Sequence, residues 1–301
     1  MDLTHLRTFV AVAHEGHLTR AAERLHISQP AASTHIRSLE KLLQIELFAR
    51  TNRGLELTAA GRRLAESAEH VLSSAVELAS LARELRGGVV GKLYLGTNAD
   101  PALSKLGSLL SRLRERYPLL ELNVQMRSSL ATKQGVRAGE LDAGFLLGST
   151  IAQGLGGLIL DTLRYRIAGP AAWANKIHNA DWKALAMLPW ITTAPGTSNH
   201  EMREALFRVH GLEVNAAVEA NNDLLLRSLI VDGVGVGLVR EDHAENGERD
   251  GLLAVSPLGH AETHLQFVYP DARAKDPVIQ AVLCTVRVSW PEAALAESRK
   301  G

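Results

Sequence analysis

The chain has 301 residues, of which 46% are hydrophobic and 22% charged, with 33 Lys and Arg set against 33 Asp and Glu. At roughly 150 residues per domain this length allows two or three domains, and the composition excludes a disordered or fibrous chain. A single cysteine, Cys284, excludes an intramolecular disulfide and a cysteine-ligated metal cluster, and its apolar setting VIQAVLCTVRV predicts a buried, inert thiol.

The zero net charge hides an asymmetry. Residues 1 to 63 hold nine Lys and Arg against six Asp and Glu, so a weakly basic head precedes an acidic remainder, which suggests a polyanion partner for the head alone. The opening MDLTHLRTFVAVAHEG reads as one amphipathic helix and lacks the apolar stretch and small-residue cleavage site of a signal peptide. No window approaches 18 uncharged apolar residues, and together these features predict a cytoplasmic protein.

Residues 3 to 43 read as three helices. The first buries Leu3, Leu6, Phe9, Val10 and Ala13; the second, Arg20 to Leu25, is short and alanine-rich. The third opens at Ser28, a good N-cap, with Pro30 in a first turn where a missing N–H costs nothing. Two alternating runs around Asn52, Arg53 and Gly54 predict a small hairpin. From Thr58, a second N-cap, one long helix runs to Arg86 and stops at Gly87 and Gly88. Its apolar positions Leu64, Ala68, Val71, Ala75, Leu78, Ala82 and Leu85 step by four and three, a heptad seam that predicts pairing with a second subunit, with Leu64, Val71, Leu78 and Leu85 as its larger side chains.

Beyond Gly91 strands and helices alternate. Strands are predicted at 92 to 97, 119 to 127, 142 to 147, 157 to 168, 189 to 193, 215 to 220, 235 to 239 and 264 to 269, and helices at 101 to 116, 129 to 138, 198 to 210, 222 to 232 and 276 to 288. This alternation predicts an α/β body with a mostly parallel sheet and helices on both faces.

On a helical wheel of the third helix, Ala32, Ile36, Leu39 and Leu43 form a narrow core-facing arc. Opposite lie Gln29, Pro30, Ser33, Thr34 and Arg37. Short side chains let a helix sink into the major groove, while Gln and Arg can grip adenine and guanine edges with two hydrogen bonds each. A merely solvated face would carry more Glu and Lys. Arg50 and Arg53 flank the hairpin tip, where they can rest on phosphates or enter a minor groove.

The stretch RAAERLHISQPAASTHIRSLEKLLQIELFARTNRGLELTAAG resembles the winged helix-turn-helix of LysR-type transcriptional regulators, and the likeness runs on through the long helix and, more loosely, the whole chain. The resemblance implies a winged helix-turn-helix at 1–58, a linker and dimerisation helix at 59–88, and an effector-binding domain at 89–301 like a type 2 periplasmic binding protein. A small molecule, an organic acid for instance, would bind between two α/β lobes. The resemblance also implies a homodimer or homotetramer on an inverted-repeat operator in double-stranded DNA, with RNA polymerase as a further partner. Two departures lie where bases would be touched: Thr34 and His35 follow Ser33 where a basic residue and an amide are frequent, and Gly16-His17-Leu18 replaces a Gly-Ser-aromatic sequence.

Carried over residue by residue, the effector pocket falls on strand-to-helix loops, whose free N–H groups favour anions. It comprises Asn98 and Asp100, Ser128 and Ser129, Thr193, Thr197, Ser198 and Asn199, and Asn222. Each could equally be a helix N-cap serving the backbone. Asp100 stands where a small hydroxyl residue is frequent, and its charge would repel a carboxylate.

No enzyme motif survives inspection. GVGVGL lacks the third glycine of a dinucleotide fingerprint and follows a helix instead of opening one. His14 and His17 have no third metal ligand nearby, and neither a P-loop nor a nucleophile elbow occurs, so no catalytic residue, metal or cofactor is expected. The rival readings are a solute receptor carrying a basic helical domain, against which the missing signal peptide counts, and an α/β enzyme.

Overall fold

Asp2 starts the first helix, α1 (Leu3–Glu15), by accepting a hydrogen bond from the Thr4 N–H, and Gly16 ends it in the left-handed region at φ 61°. In the computed structural model, residues 2–25, 27–51, 54–85, 89–97 and 100–295 are described. The second helix, α2 (Leu18–Arg24), begins two residues before its predicted start, and α3 (Gln29–Leu43) opens on the Ser28 hydroxyl, which accepts from the Ala31 N–H. An antiparallel hairpin, β1 (Phe48–Thr51) and β2 (Gly54–Leu57), forms the wing. Leu6, Phe9, Val12, Ala21, Ile36, Leu39 and Leu47 close the head's core, with Phe9 and Phe48 edge to face at 5.6 Å.

Thr58 caps the long helix α4 (Ala59–Leu85) through the Gly61 N–H at 2.8 Å. A Cβ on Gly61 would sit 2.1 Å from the Leu47 carbonyl oxygen, so only glycine lets α4 start this close to the wing. The heptad expectation is altered here. Leu64, Ala68 and Leu72 pack into the head's own core, because α1 lies alongside and receives them. Val71 and Leu78 instead stay 39% and 70% exposed, while the side chains of Ala82 and Leu85 lie outside the described residues.

The body continues with β3 (Gly91–Thr97), α5 (Leu106–Arg116), β4 (Leu120–Met126), α6 (Ser129–Arg137), β5 (Ala143–Gly148) and the long β6 (Leu155–Pro170). It then runs through α7 (Ala174–His178), α8 (Trp182–Met187), β7 (Pro189–Thr192), α9 (Ser198–Arg208), β8 (Asn215–Glu219), α10 (Asp223–Val231) and β9 (Gly237–Arg240). Last come α11 (Glu241–Arg249), β10 (Leu253–Val255), β11 (Ala261–Pro270), α12 (Pro277–Ser289) and β12 (Ala294–Leu295).

The mostly parallel sheet is not found. Among the described residues parallel pairing joins β3 with β4 and β5, and β7 with β8, with one further parallel bridge between Trp190 and Val236; β6 and β11 run antiparallel through the middle, and β5, β9, β10 and β12 join them antiparallel. These two long strands divide the body. Their ends at 155–159 and 266–270, with β3, β4, β5, α5, α6 and α12, form a first lobe; β6 from Tyr165 onward, with β7 to β10 and their helices, forms a second. Each lobe's side chains bury on the crossing strands: Phe145 and Phe267 meet edge to face in the first, and Trp190 and Phe207 in the second. Each such fully buried side chain contributes about 1.5–3 kcal/mol.

Cys284 corrects another expectation. It is exposed, because α12 buries Ile279, Val282, Leu283 and Val286 and turns position 284 to the outer side with Gln280, Arg287 and Val288. Among the described residues no helix is long and apolar enough to cross a membrane.

Candidate nucleic-acid interface and ligand cavity

The third helix buries Ala32, Ile36 and Leu39 and leaves Gln29, Pro30, Thr34 and Arg37 exposed, with Ser33 half-buried at the edge of that face. Thr34 donates its hydroxyl to the Pro30 carbonyl at 2.9 Å, which is a link within the helix. Gln29 and Arg37 make no hydrogen bond or ion pair among the described residues, so their donors and acceptors are open to another molecule. His35, one of the departures noted above, is turned inward: its Nδ1 meets the Thr8 hydroxyl at 2.9 Å and its ring lies 4.7 Å from that of His5. It therefore ties α3 to α1 instead of facing outward. Arg50 lies in β1, opposite Leu55. Arg53 lies outside the described residues.

Between the lobes is a cavity of about 200 Å³. Its first-lobe wall is Ser129, Leu130 and Lys133 of α6 and the run Leu146 to Thr150 at the end of β5; its second-lobe wall is Gly196, Ser198 and Glu201 at the start of α9. The starts of two helices thus converge on one space, and their free N–H groups favour negative charge there. Lys133 and Glu201 make no ion pair among the described residues, so one cation and one carboxylate face the cavity unneutralised.

The pocket residues expected from the sequence divide unequally. Ser129 and Ser198 line the cavity, although the Ser129 hydroxyl also accepts from the Leu147 N–H at 2.9 Å. Ser128, Thr197 and Asn222 cap α6, α9 and α10 through the N–H groups of Ala131, His200 and Leu225. Thr193 is buried with its hydroxyl 2.7 Å from that of Thr197. Asn199 is turned into the second lobe, where its amide donates to the Leu238 carbonyl. Asn98 lies outside the described residues.

Asp100 reaches across the lobes. One carboxylate oxygen caps the turn at Ala102 and Leu103, and the other meets the Arg240 guanidinium at 2.7 Å. Burial alone would raise the Asp100 carboxyl, but Arg240 and the two N–H groups hold it below the usual carboxylate range. Arg240 also grips Asp242 with two nitrogens, and these carboxylates keep the guanidinium firmly charged. Beside them, burial and the Arg240 charge push the His243 imidazole down.

Sequence reasoning did not single out Lys133, Gly148, Ser149, Thr150, Glu201 or Arg240. The 148–150 run was findable, since it ends a strand as the other candidate loops do. The contact of Arg240 with Asp100 carried no local signal, because the two lie 140 residues apart.

Residues 3–62 match the family described as bacterial regulatory helix-turn-helix protein, lysR family, and residues 86–289 match the LysR substrate binding domain. The chain is 32% identical to the HTH-type transcriptional regulator YnfL of Escherichia coli over 244 residues, covering 79% of this chain and 82% of the relative. To the HTH-type transcriptional regulator IlvR of Caulobacter vibrioides it is 33% identical over 245 residues, with the same coverage of 79% and 82%. Among solved structures, a hydrogen-peroxide-bound OxyR mutant of Corynebacterium glutamicum is similar with a TM-score of 0.53 at 25% identity, covering 97% of this chain and 93% of that one. ArgP of Mycobacterium tuberculosis shares the fold with a TM-score of 0.56 at 19% identity, covering 99% and 100%.

Proposed function

Since the chain belongs to the LysR family of DNA-binding transcriptional regulators and is not an enzyme, we propose that it reads its operator through Gln29, Ser33 and Arg37 of α3 under control of a small molecule in the interlobe cavity. The observation that carries the reading is the cavity itself, a polar space shared by two lobes, with Lys133, Glu201 and two helix starts around it. Pro30 and Thr34 let α3 sit close to the bases, and Arg50 and Arg53 of the wing contact phosphates or the minor groove. Three segments divide the work: a head at 1–58, a linker at 59–88 and an effector domain at 89–301. Two copies pair through the exposed side of α4, at Val71 and Leu78.

The effector is a small organic acid with a hydrogen-bond donor. Its carboxylate lies toward Lys133 and the starts of α6 and α9, near Ser129 and Ser198, and Glu201 accepts from the donor. Asp100 and Arg240 tie the lobes together, so the ligand acts by favouring one arrangement of the lobes over another. Retention of particular genomic fragments at moderate salt tests the DNA half. A screen of small carboxylic acids by thermal shift tests the ligand half, because a molecule bound only to the folded state raises the melting temperature. Ser129→Trp fills the cavity and serves as the control; acids that shift this variant as much as the parent would contradict the site.

A further inference from the structure

One helix touches both the cavity and the head. The first turns of α6 carry Ser129 and Lys133 into the cavity wall. Its other end, nine residues and about 13 Å away, runs into Gly139 and Glu140, held to it by the Glu140 N–H on the Gly135 carbonyl. The Glu140 carboxylate faces the DNA-binding head. Arg24 of α2 meets it side-on, Nε to Oε2 at 3.3 Å and a terminal nitrogen to Oε1 at 3.2 Å. The same carboxylate takes Arg127 at 2.9 Å, and Arg24 in turn takes Glu15 of α1 at 3.0 Å.

The result is an alternating row, Glu15, Arg24, Glu140, Arg127, that crosses from head to first lobe with the two central side chains 13% and 14% exposed. Nearby, Glu69 of α4 is bonded to His14, which lowers its carboxyl most, and the charge of Arg137 in the last turn of α6 lowers it further without a direct contact. The row also reaches back to the start of α6. Arg127 directly precedes Ser128, the cap of α6, and its own N–H is fixed to the Thr97 carbonyl at the end of β3.

α6 is packed tightly on the sheet at its start and followed by a charge-paired residue at its end. Gly96 and Gly144 let it lie so close to the sheet that a Cβ on Gly144 would be 2.3 Å from the Thr132 methyl. Glu140 also stands between two guanidiniums, so loss of its charge would leave Arg24 and Arg127 facing each other as like charges.

We propose that α6 is a connecting rod, with the ligand cavity at its first turn and, at its last, a seat for the chain's own DNA-binding head, made by Glu140 and occupied by Arg24. A shift of the rod at one end then loosens or re-aims the head at the other. The transmission rests on reading the cavity as the effector site, but the seat can be tested with no ligand present.

The test is hydrogen exchange on the full chain. Arg24→Gln and Glu140→Gln should each speed exchange in α2, Leu18–Arg24, by about three- to tenfold, and the double variant should be no faster than the faster single one. Arg24→Lys keeps the charge without the side-on pair and should fall between, which guards against a Glu140 variant that folds poorly. Additive effects, or unchanged α2 exchange in Glu140→Gln, would overturn the seat. The rod is read by Ser129→Trp, which wedges the cavity without any ligand: α2 exchange should change by about twofold, and not at all when Arg24→Gln is also present. If the wedge leaves α2 unchanged in both backgrounds, the rod is wrong. The effector reading would then stand or fall on the thermal-shift screen, which does not depend on α2.

Discussion

The outward face of α3 and the loops around the cavity carry similar residues, short hydroxyls and amides, yet the fold treats them in opposite ways. On α3, Gln29 and Arg37 are exposed and unbonded, and the polar group that is bonded, Thr34, stays within its own helix. In the strand-to-helix loops from which the pocket was expected, Ser128, Thr193, Thr197, Asn199 and Asn222 are all engaged by hydrogen bonds of the body itself. A strand-to-helix loop must first satisfy the open N–H groups of its helix, so most of its polar side chains serve the backbone before any ligand. A surface the fold leaves unpartnered is therefore the better guide to what another molecule touches.

That distinction can be broken most sharply at Leu78, an apolar side chain the single chain leaves 70% exposed. If a second copy covers it, Leu78→Asp places an unpaired carboxylate in the interface at a cost of about 3–5 kcal/mol, and sedimentation should show monomers where the parent forms dimers. An unchanged oligomer would mean the face serves something else. On the partnered side, Gly144→Ala should lose about 1–3 kcal/mol of stability, because the added carbon collides with Thr132, and denaturant unfolding should show it with binding surfaces untouched. Ser128→Ala should lower stability by about 1 kcal/mol through the lost cap, a smaller effect measurable in the same titration. A Ser128→Ala variant of full stability would return that hydroxyl to the cavity.

The smallest effect concerns pH. The folded protein holds the His243 imidazole below its ordinary value of 6.5, so the unfolded chain takes the proton more readily. Stability contributed by His243 is thus present above about pH 6.5 and is lost as pH falls from there toward the folded value. Asp100 acts lower, since its depressed carboxyl contributes above the usual Asp range and is lost only as pH falls through its own folded value. Melting temperatures at pH 7.5 and 5.5 should differ less in His243→Gln than in the parent; an equal or larger difference would contradict the assignment.

Much of this was legible in the sequence because local rules decided it. Ser28 and Thr58 cap their helices as their spacing with the following turns requires, and all eight expected strands occur. What escaped was set by contacts between distant segments. The short β10 pairs with β6 far upstream, the antiparallel course of β6 and β11 is decided by their pairing and not by their composition, and Arg240 meets Asp100 across the lobes. Leu64 and Ala68 show the same limit: their heptad spacing is real, but α1 covers them first. The short helices α7, α8 and α11 hold too few turns for a period to stand out, and Cys284 was misjudged because an apolar run was read without its wheel.

The central claim is that the free polar groups of α3 read base edges, and one pair of titrations tests it. Binding of the parent and Gln29→Ala is measured on a retained genomic fragment and on a scrambled duplex of equal length, across a series of salt concentrations. Loss of a base contact should cost about 1–3 kcal/mol on the retained fragment, leave the scrambled duplex almost unaffected and leave the salt slope unchanged. Equal losses on both duplexes, or no loss on either, would contradict it.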